Sequence, residues 1–177
     1  MRVFVVGTGR CGTVTFYHAC RHITNFTSAH EGKAGSVPPW EFPDNHIEIG
    51  SHLFSQMGPL CLAYPDAIWI HLVRNREDCT ASLASQCAVS MEHHSQIWFH
   101  AFRAPPQKVA EAYYDMVNTV VPLVFPLAMR IDVESAVEQW PDFLLSIGAE
   151  VDVLASQDEW GKRYNATGYR GIDNHAP

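Results

Sequence analysis

The chain has 177 residues, of which 47% are apolar and 18% are charged. This composition is typical of a globular domain and excludes intrinsic disorder and a two-domain enzyme with a separate cofactor module. The formal net charge is −7 and no run of basic residues occurs, which excludes a broad nucleic-acid interface. The apolar run at the N-terminus is too short for a signal peptide, and no stretch is long enough for a membrane span. We therefore expect one cytoplasmic domain over residues 1–177, with no nucleic-acid or membrane partner.

The five cysteines argue against both a disulfide framework and structural zinc. They are Cys11, Cys20, Cys61, Cys79 and Cys87. Their number is odd, and no pair has the C-x-x-C spacing of a zinc knuckle. We expect reduced thiols, as in a cytosolic protein.

The first half of the chain alternates between predicted strands and helices. The apolar, β-branched run 2–7 predicts a strand buried on both faces, and a helix is predicted over about 12–22. The further predictions are strands at 24–29, 46–51 and 67–73, a Gly- and Pro-rich loop at 32–45, and helices at 76–88 and 91–102.

The second half continues the same alternation. In 107–121, the side chains predicted to share one helical face are Val109, Ala112, Tyr113, Met116, Val117 and Val120. Residues 123–131 predict a last strand, and residues 134–147 predict a helix that Pro141 should break or restart and Gly148 should end. The whole pattern predicts a three-layer α/β/α fold around a central, mainly parallel sheet.

A glycine-rich loop separates the first predicted strand from the first predicted helix. Its glycines allow a tight turn in which backbone N–H groups approach an anion, and the helix N-terminus adds positive potential. Gly7 and Gly12 have the spacing of a Walker A loop, but Thr13 and Val14 replace the Lys and the Mg²⁺-binding Ser/Thr of that motif. The cation lies inside the loop instead, as Arg10. The alternative interpretation is a plain strand-to-helix turn.

A second motif begins where the strand at 67–73 ends. Arg74 follows this strand, and Ser82 lies on the helix after it. Ligands of open α/β sheets bind beyond the carboxyl ends of the strands, so Arg74 is expected at the same edge as Arg10. Its planar guanidinium can donate two parallel hydrogen bonds to a phosphate. The alternative is a surface Arg paired with Glu77 or Asp78.

Together the two motifs resemble those of sulfotransferases that use 3′-phosphoadenosine-5′-phosphosulfate (PAPS). In that family a P-loop-like turn of a basic residue, a small residue, Gly and Thr holds the 5′-phosphosulfate, and Arg10-Cys11-Gly12-Thr13 matches it. An Arg at a strand end, with Ser eight positions on, holds the 3′-phosphate, and Arg74 and Ser82 match it. The resemblance covers residues 1–90 and implies a short member of the family.

The resemblance also implies a set of site residues and a co-substrate. The implied cofactor-binding residues are Gly9, Arg10, Cys11, Gly12, Thr13, Val14, Arg74 and Ser82. PAPS is the implied co-substrate, and no metal is needed. The sequence departs from the family's pattern at Cys11 for Ser, at Val14 for Thr, and at Gly50-Ser51, where cytosolic members have Lys-Thr before a catalytic His.

Sulfuryl transfer to a hydroxyl or amine requires a general base and positive charge near the leaving phosphate. The resemblance assigns the second role to Arg10. It leaves two candidates for the base. His52 resembles the catalytic His of cytosolic members, whereas Glu31 follows the second strand as the Glu of many bacterial and Golgi-type members does. Glu31 is preferred because Gly50 weakens the local match around His52.

Other interpretations of the sequence stay open. His93, His94 and His100 suggest a metal site, but adjacent His93 and His94 cannot share a helical face, so no metal is predicted. A divergent P-loop kinase would lack its Walker Lys. A non-catalytic module that binds a nucleotide or anion would keep the loop without transferring sulfate. We expect the acceptor to be a small molecule or a glycan, but no motif in the sequence identifies it. No motif indicates the oligomeric state either.

Overall fold

The computed structural model describes residues 1–34, 36, 40–87, 104–162 and 164. Its strands are β1 (Arg2–Val6), β2 (Thr27–His30), β3 (His46–Ile49), β4 (Ile68–Val73) and β5 (Met129–Asp132). They form one parallel sheet in the order β2-β3-β1-β4-β5. The prediction of an α/β fold with a mainly parallel sheet is confirmed.

Helices cover both faces of this sheet. They are α1 (Thr13–Cys20), α2 (Met57–Ala63), α3 (Arg76–Cys87), α4 (Pro106–Val124), α5 (Ala136–Ile147) and α6 (Val153–Asp158). Short 3-10 helices lie at Ser51–Gln56, Val133–Ser135 and Glu159–Gly161. Among the described residues, no helix is long and apolar enough to cross a membrane.

The central strand β1 is apolar throughout because both of its faces are buried. Successive side chains of a strand point to opposite faces of the sheet. Val3 and Val5 therefore lie in the core under α1 and α5, and Phe4 and Val6 lie in the core under α2 and α4; all four side chains are fully buried. The run of β-branched residues in the sequence reflects this position in the middle layer.

The register of the sheet brings several strand ends to one edge. Val5 of β1 pairs with Ile49 of β3 and with Ile70 of β4. Because these strands are parallel, the segments that follow β1, β3 and β4 all leave from the same side. The glycine-rich loop, the turn at residues 50–52 and Arg74 thus start close to one another.

Several element boundaries differ from the predictions. β2 starts at Thr27, three residues later than expected, and β5 starts at Met129 because α4 continues to Val124. The helix α2 was not predicted at all. The predicted helix at 91–102 lies outside the described residues.

The buried face of α4 also differs from the predicted one. Its buried side chains are Val109, Ala110, Tyr114, Val117 and Val121, whereas Ala112 is exposed. The helix packs extensively against α3, and Ala110 and Tyr114 join the core that α3 contributes to. Packing against α3 as well as the sheet therefore shifts the buried face away from the one that the apolar residues alone predict.

The prediction that Pro141 breaks its helix is wrong. The helix α5 runs without interruption from Ala136 to Ile147. Proline has no N–H, so the carbonyl of Val137, four residues earlier, loses its usual partner. Gln157 of α6 donates to this carbonyl at 3.1 Å. The predicted end of the helix is confirmed, since Gly148 has the left-handed φ of 63° that favours glycine there.

Candidate functional site

The glycine-rich loop needs glycine at two positions for different reasons. A Cβ on Gly7 would lie 2.5 Å from the carbonyl oxygen of Leu72 and 2.7 Å from Cys11 Sγ, so a side chain has no room beside β4. Gly12 has a left-handed φ of 87°, and a Cβ there would lie 2.9 Å from Val133 Cγ2. These contacts shape a tight turn that directs the chain into the N-terminus of α1.

Three residues of the two predicted motifs hydrogen-bond to one another at the carboxyl edge of the sheet. Arg10 Nε donates to Ser82 Oγ at 3.0 Å. Arg74 Nη1 donates to the main-chain oxygen of Arg10 at 3.1 Å, and its own carbonyl accepts a 2.7 Å bond from the Tyr114 hydroxyl. We call Arg10, Arg74 and Ser82 the phosphate side of the site.

Two guanidinium groups thus lie close together on the phosphate side. Burial, and then the positive charge of Arg74, lower the pKa of Arg10. The side chain of Arg74 is one-third exposed, and its Nη2 lies 4.0 Å from Oδ2 of Asp78. Clustered cations repel one another, and an anion between them relieves that repulsion. Arg10 and Arg74 therefore place two neighbouring positive charges at this edge of the sheet.

The other loop residues turn their side chains away from solvent. Cys11 is fully buried and Val14 is buried under the loop, so only their backbone groups can contact a ligand there. The hydroxyl of Thr13 is also buried and lies 3.0 Å from His30 Nε2. Burial raises the pKa of the Cys11 thiol, which stays neutral. Cys11 therefore contributes its side chain to the hydrophobic core.

Glu31 lies at the same carboxyl edge of the sheet and has an unusual backbone conformation. Its φ is 53°, in the left-handed region, and its N–H extends the sheet by donating to the carbonyl of Ile49 at 2.8 Å. The side chain is exposed, and its Oε1 accepts a 3.2 Å hydrogen bond from Ser51 Oγ. A Cβ on Gly9 would lie 3.8 Å from that same hydroxyl oxygen. Ser51 therefore lies between the Glu31 carboxylate and the glycine-rich loop.

His52 lies deeper than Glu31. Its side chain has no exposed surface, and its Nε2 is 3.4 Å from Glu48 Oε1. A Cβ on Gly50 would lie only 2.4 Å from His52 Nδ1, so the imidazole lies directly under that backbone segment. Of the two predicted bases, Glu31 presents its reactive atoms to solvent and His52 does not. We call Glu31, Ser51, Glu48 and His52 the base side of the site.

Sequence reasoning missed residues on both sides of the site. Glu48 is a charged residue in β3, a strand in which every side chain is buried. A carboxylate within a predicted strand could have indicated a special role, because buried carboxylates are rare unless they are paired. Tyr113 had no such signal, since it reads as one more apolar residue of α4. Burial raises the pKa of its phenol, and the neighbouring acidic groups of Cys11, Cys79 and Glu31 add to that rise. Tyr113 thus lies near the loop and Glu31.

No metal site is assigned in the part of the chain that the structure describes. There, no group of three His, Cys, Asp or Glu side chains is arranged to hold a metal ion. The stretch with His93, His94 and His100 lies outside the described residues.

Comparison with known proteins does not place the chain in a family. No family model matches it, and no curated protein matches it significantly.

Proposed function

We propose that this protein transfers a sulfuryl group from PAPS to a hydroxyl or amine acceptor. The observation that carries the proposal is the hydrogen-bonded trio of the phosphate side. Arg10 and Arg74 come from two motifs more than sixty residues apart, and each bonds to the other motif or its loop. A ligand with two separate phosphate groups would use both motifs at once.

The residue types at this edge support the proposal that PAPS binds there. Arg74 and Ser82 would hold the 3′-phosphate, and Arg10 with the backbone N–H groups of the loop would hold the 5′-phosphosulfate. The lack of a side chain at Gly7 lets the loop run close to the Leu72 carbonyl of β4. The repulsion between Arg10 and Arg74 would be relieved by the bound phosphates.

Bound PAPS would supply an activated sulfuryl group. Glu31 would accept the proton of the acceptor hydroxyl or amine as the new bond to sulfur forms. The bond between sulfur and the bridging oxygen breaks in the same step, and the electron pair stays on the 5′-phosphate. Arg10 would stabilise this negative charge, so the products are the sulfated acceptor, adenosine 3′,5′-bisphosphate and a proton on Glu31.

The loop chemistry favours sulfuryl transfer over nucleoside-triphosphate hydrolysis. A Walker A loop needs a Lys for the phosphates and a hydroxyl for Mg²⁺. At the corresponding positions, the Thr13 hydroxyl bonds to His30 and Val14 is buried and apolar. Sulfuryl transfer requires neither group, because positioning and fixed positive charge do the work.

A transfer assay tests the proposal. The protein is incubated with PAPS labelled on sulfur and with three acceptors in turn: a phenol, a primary alcohol and a primary amine. We expect labelled product with at least one of them, and its loss in Arg10→Ala. Binding of adenosine 3′,5′-bisphosphate without transfer to any acceptor or to water would favour a non-catalytic anion-binding module. Mg²⁺-dependent turnover of ATP would favour the kinase alternative instead.

A further inference from the structure

The buried carboxylate of Glu48 lies behind the turn that carries Glu31. Glu48 is 1% exposed, and its Oε1 accepts a 2.8 Å hydrogen bond from the N–H of Gly32. A Cβ on Gly32 would lie 3.3 Å from Glu48 Oε2, so the backbone of the turn packs directly on the carboxylate. The residue after Glu31 is thus fixed to β3 by a single buried side chain.

Two histidine side chains lie next to this carboxylate. His46 Nε2 lies 3.2 Å from Oε2, and His52 Nε2 lies 3.4 Å from Oε1. His46 is fixed in turn, because its Nδ1 lies 2.8 Å from the hydroxyl of Thr27. A buried carboxylate persists only when such partners compensate for its desolvation. Burial alone would raise the pKa of Glu48, but the hydrogen bond with His46 and the adjacent imidazole of His52 outweigh it and lower the pKa.

The turn itself needs support. Glu31 adopts a left-handed φ of 53°, a conformation that costs free energy in a residue with a side chain. Among the described residues, its backbone is held by the hydrogen bonds from Glu31 N–H to Ile49, from Gly32 N–H to Glu48, and from Ala34 N–H to the Glu31 carbonyl. Only the second depends on a side chain. Removing the Glu48 carboxylate would therefore free the Gly32 end of the turn, and the Glu31 side chain would lose its fixed orientation.

We propose that Glu48 is the positioning residue of the base: its buried carboxylate holds the turn at Glu31 and Gly32 so that the Glu31 carboxylate faces Ser51 and the phosphate loop. This inference rests on the proposed function for the role of Glu31. His46 and His52 keep Glu48 in place and do not contact the acceptor. The family resemblance makes His52 a candidate for the base, but here its role is to pack against Glu48 and hold it in place.

A double-mutant cycle tests this role. The readout is release of labelled sulfate from PAPS, with water as the acceptor, in Glu48→Gln, Glu31→Gln and the double variant. We expect Glu48→Gln to lower kcat about tenfold or more with the KM for PAPS unchanged, because displacement of a catalytic group impairs chemistry and spares binding. In the Glu31→Gln background, Glu48→Gln should cause no further loss. Additive losses would overturn the inference.

A second measurement tests how firmly the turn is held and does not depend on enzymatic activity. Amide hydrogen exchange of Gly32 should accelerate about tenfold in Glu48→Ala, since its N–H loses a charge-assisted acceptor. The control is Ile131→Val, a conservative change of a buried residue in β5, which should leave Gly32 exchange and kcat unchanged. Unchanged Gly32 exchange in a folded Glu48→Ala protein would overturn the inference. Failure to bind adenosine 3′,5′-bisphosphate would instead overturn the proposed function.

Discussion

The two sides of the site are held in different ways. On the phosphate side, Arg10, Arg74 and Ser82 bond to one another at the surface of the sheet edge. On the base side, the exposed carboxylate of Glu31 is oriented by a hydroxyl and by a carboxylate buried behind its turn.

This difference has a consequence for mutation. The phosphate side acts through groups that would touch the ligand, so changes there should alter affinity. The base side acts partly through groups that touch only other protein groups, so changes there should alter the rate of transfer and leave affinity unchanged. Three variants test this separation, from the largest expected effect to the smallest, and a fourth tests stability in acid.

Glu31→Gln should have the largest effect and should act on the rate alone. It removes the proton acceptor but keeps the size of the side chain, so we expect sulfuryl transfer to fall about a thousandfold. Affinity for adenosine 3′,5′-bisphosphate should stay within about twofold. The matched control is Glu41→Gln, the same change at an exposed loop position, which should keep full activity. A Glu31→Gln enzyme as active as the control would remove Glu31 from the chemistry.

Arg74→Ala should act on affinity. It deletes a charged donor to the predicted 3′-phosphate and the bond that steadies the Arg10 carbonyl, so affinity for adenosine 3′,5′-bisphosphate should fall about a hundredfold. Arg76→Ala is the control, since it removes the same charge two residues away, where Arg76 pairs with Asp115 on the surface. Equal losses in the two variants, measured by calorimetry, would mean that net charge alone binds the ligand.

Gly50→Ala should disturb the base side and spare the phosphate side. The added Cβ would lie 2.4 Å from His52 Nδ1 and 2.9 Å from Glu31 Cγ, so both side chains must move. We expect transfer to fall about tenfold, with unchanged affinity for adenosine 3′,5′-bisphosphate. Gly58→Ala, where a Cβ would meet nothing within 4 Å, is the control and should behave as wild type. A loss of affinity in Gly50→Ala would show that the two sides are not separable.

Glu159→Gln should leave both affinity and transfer unchanged and should alter only the stability of the fold at acid pH. Burial alone would raise the pKa of Glu159, but hydrogen bonds from Lys162, Tyr164 and His22 outweigh it and lower the pKa to about 2. A carboxylate with a depressed folded-state pKa stabilises the fold above its unfolded value of about 4.3, and this contribution is lost as pH falls towards about 2.

The measurement is the free energy of unfolding by urea at several pH values. The wild type should lose stability between about pH 4.3 and about pH 2 more steeply than Glu159→Gln. Activity at neutral pH should be the same in both proteins. Parallel pH profiles of stability would show that Glu159 does not contribute in this way.

The sequence predicted best those features whose cause is local. The strands β1 and β4 follow from buried, β-branched runs, and the glycine-rich turn follows from the spacing of its glycines. The close approach of Arg10 and Ser82 could be inferred because both motifs begin at the carboxyl ends of parallel strands. Each of these inferences needs only neighbouring residues and the rule for parallel sheets.

The features that escaped prediction depend on contacts between distant segments. The helix α5 passes through Pro141 because Gln157, from another helix, bonds to the carbonyl that the proline leaves free. The helix α2 contains Gly58 and Pro59, which disfavour a helix, and it is held by burial of Met57 and Leu60. Glu48 acquires its role only when β3 and the turn after β2 lie side by side.

The central claim is that the phosphate side forms one site for two phosphate groups. Calorimetry on the wild-type protein tests it directly, by comparing adenosine 3′,5′-bisphosphate with adenosine 5′-monophosphate, which lacks the 3′-phosphate. We predict that the bisphosphate binds about a hundredfold more tightly, because Arg74 and Ser82 add charge-assisted hydrogen bonds to the second phosphate. Equal affinities for the two nucleotides, or binding of neither, would contradict the account.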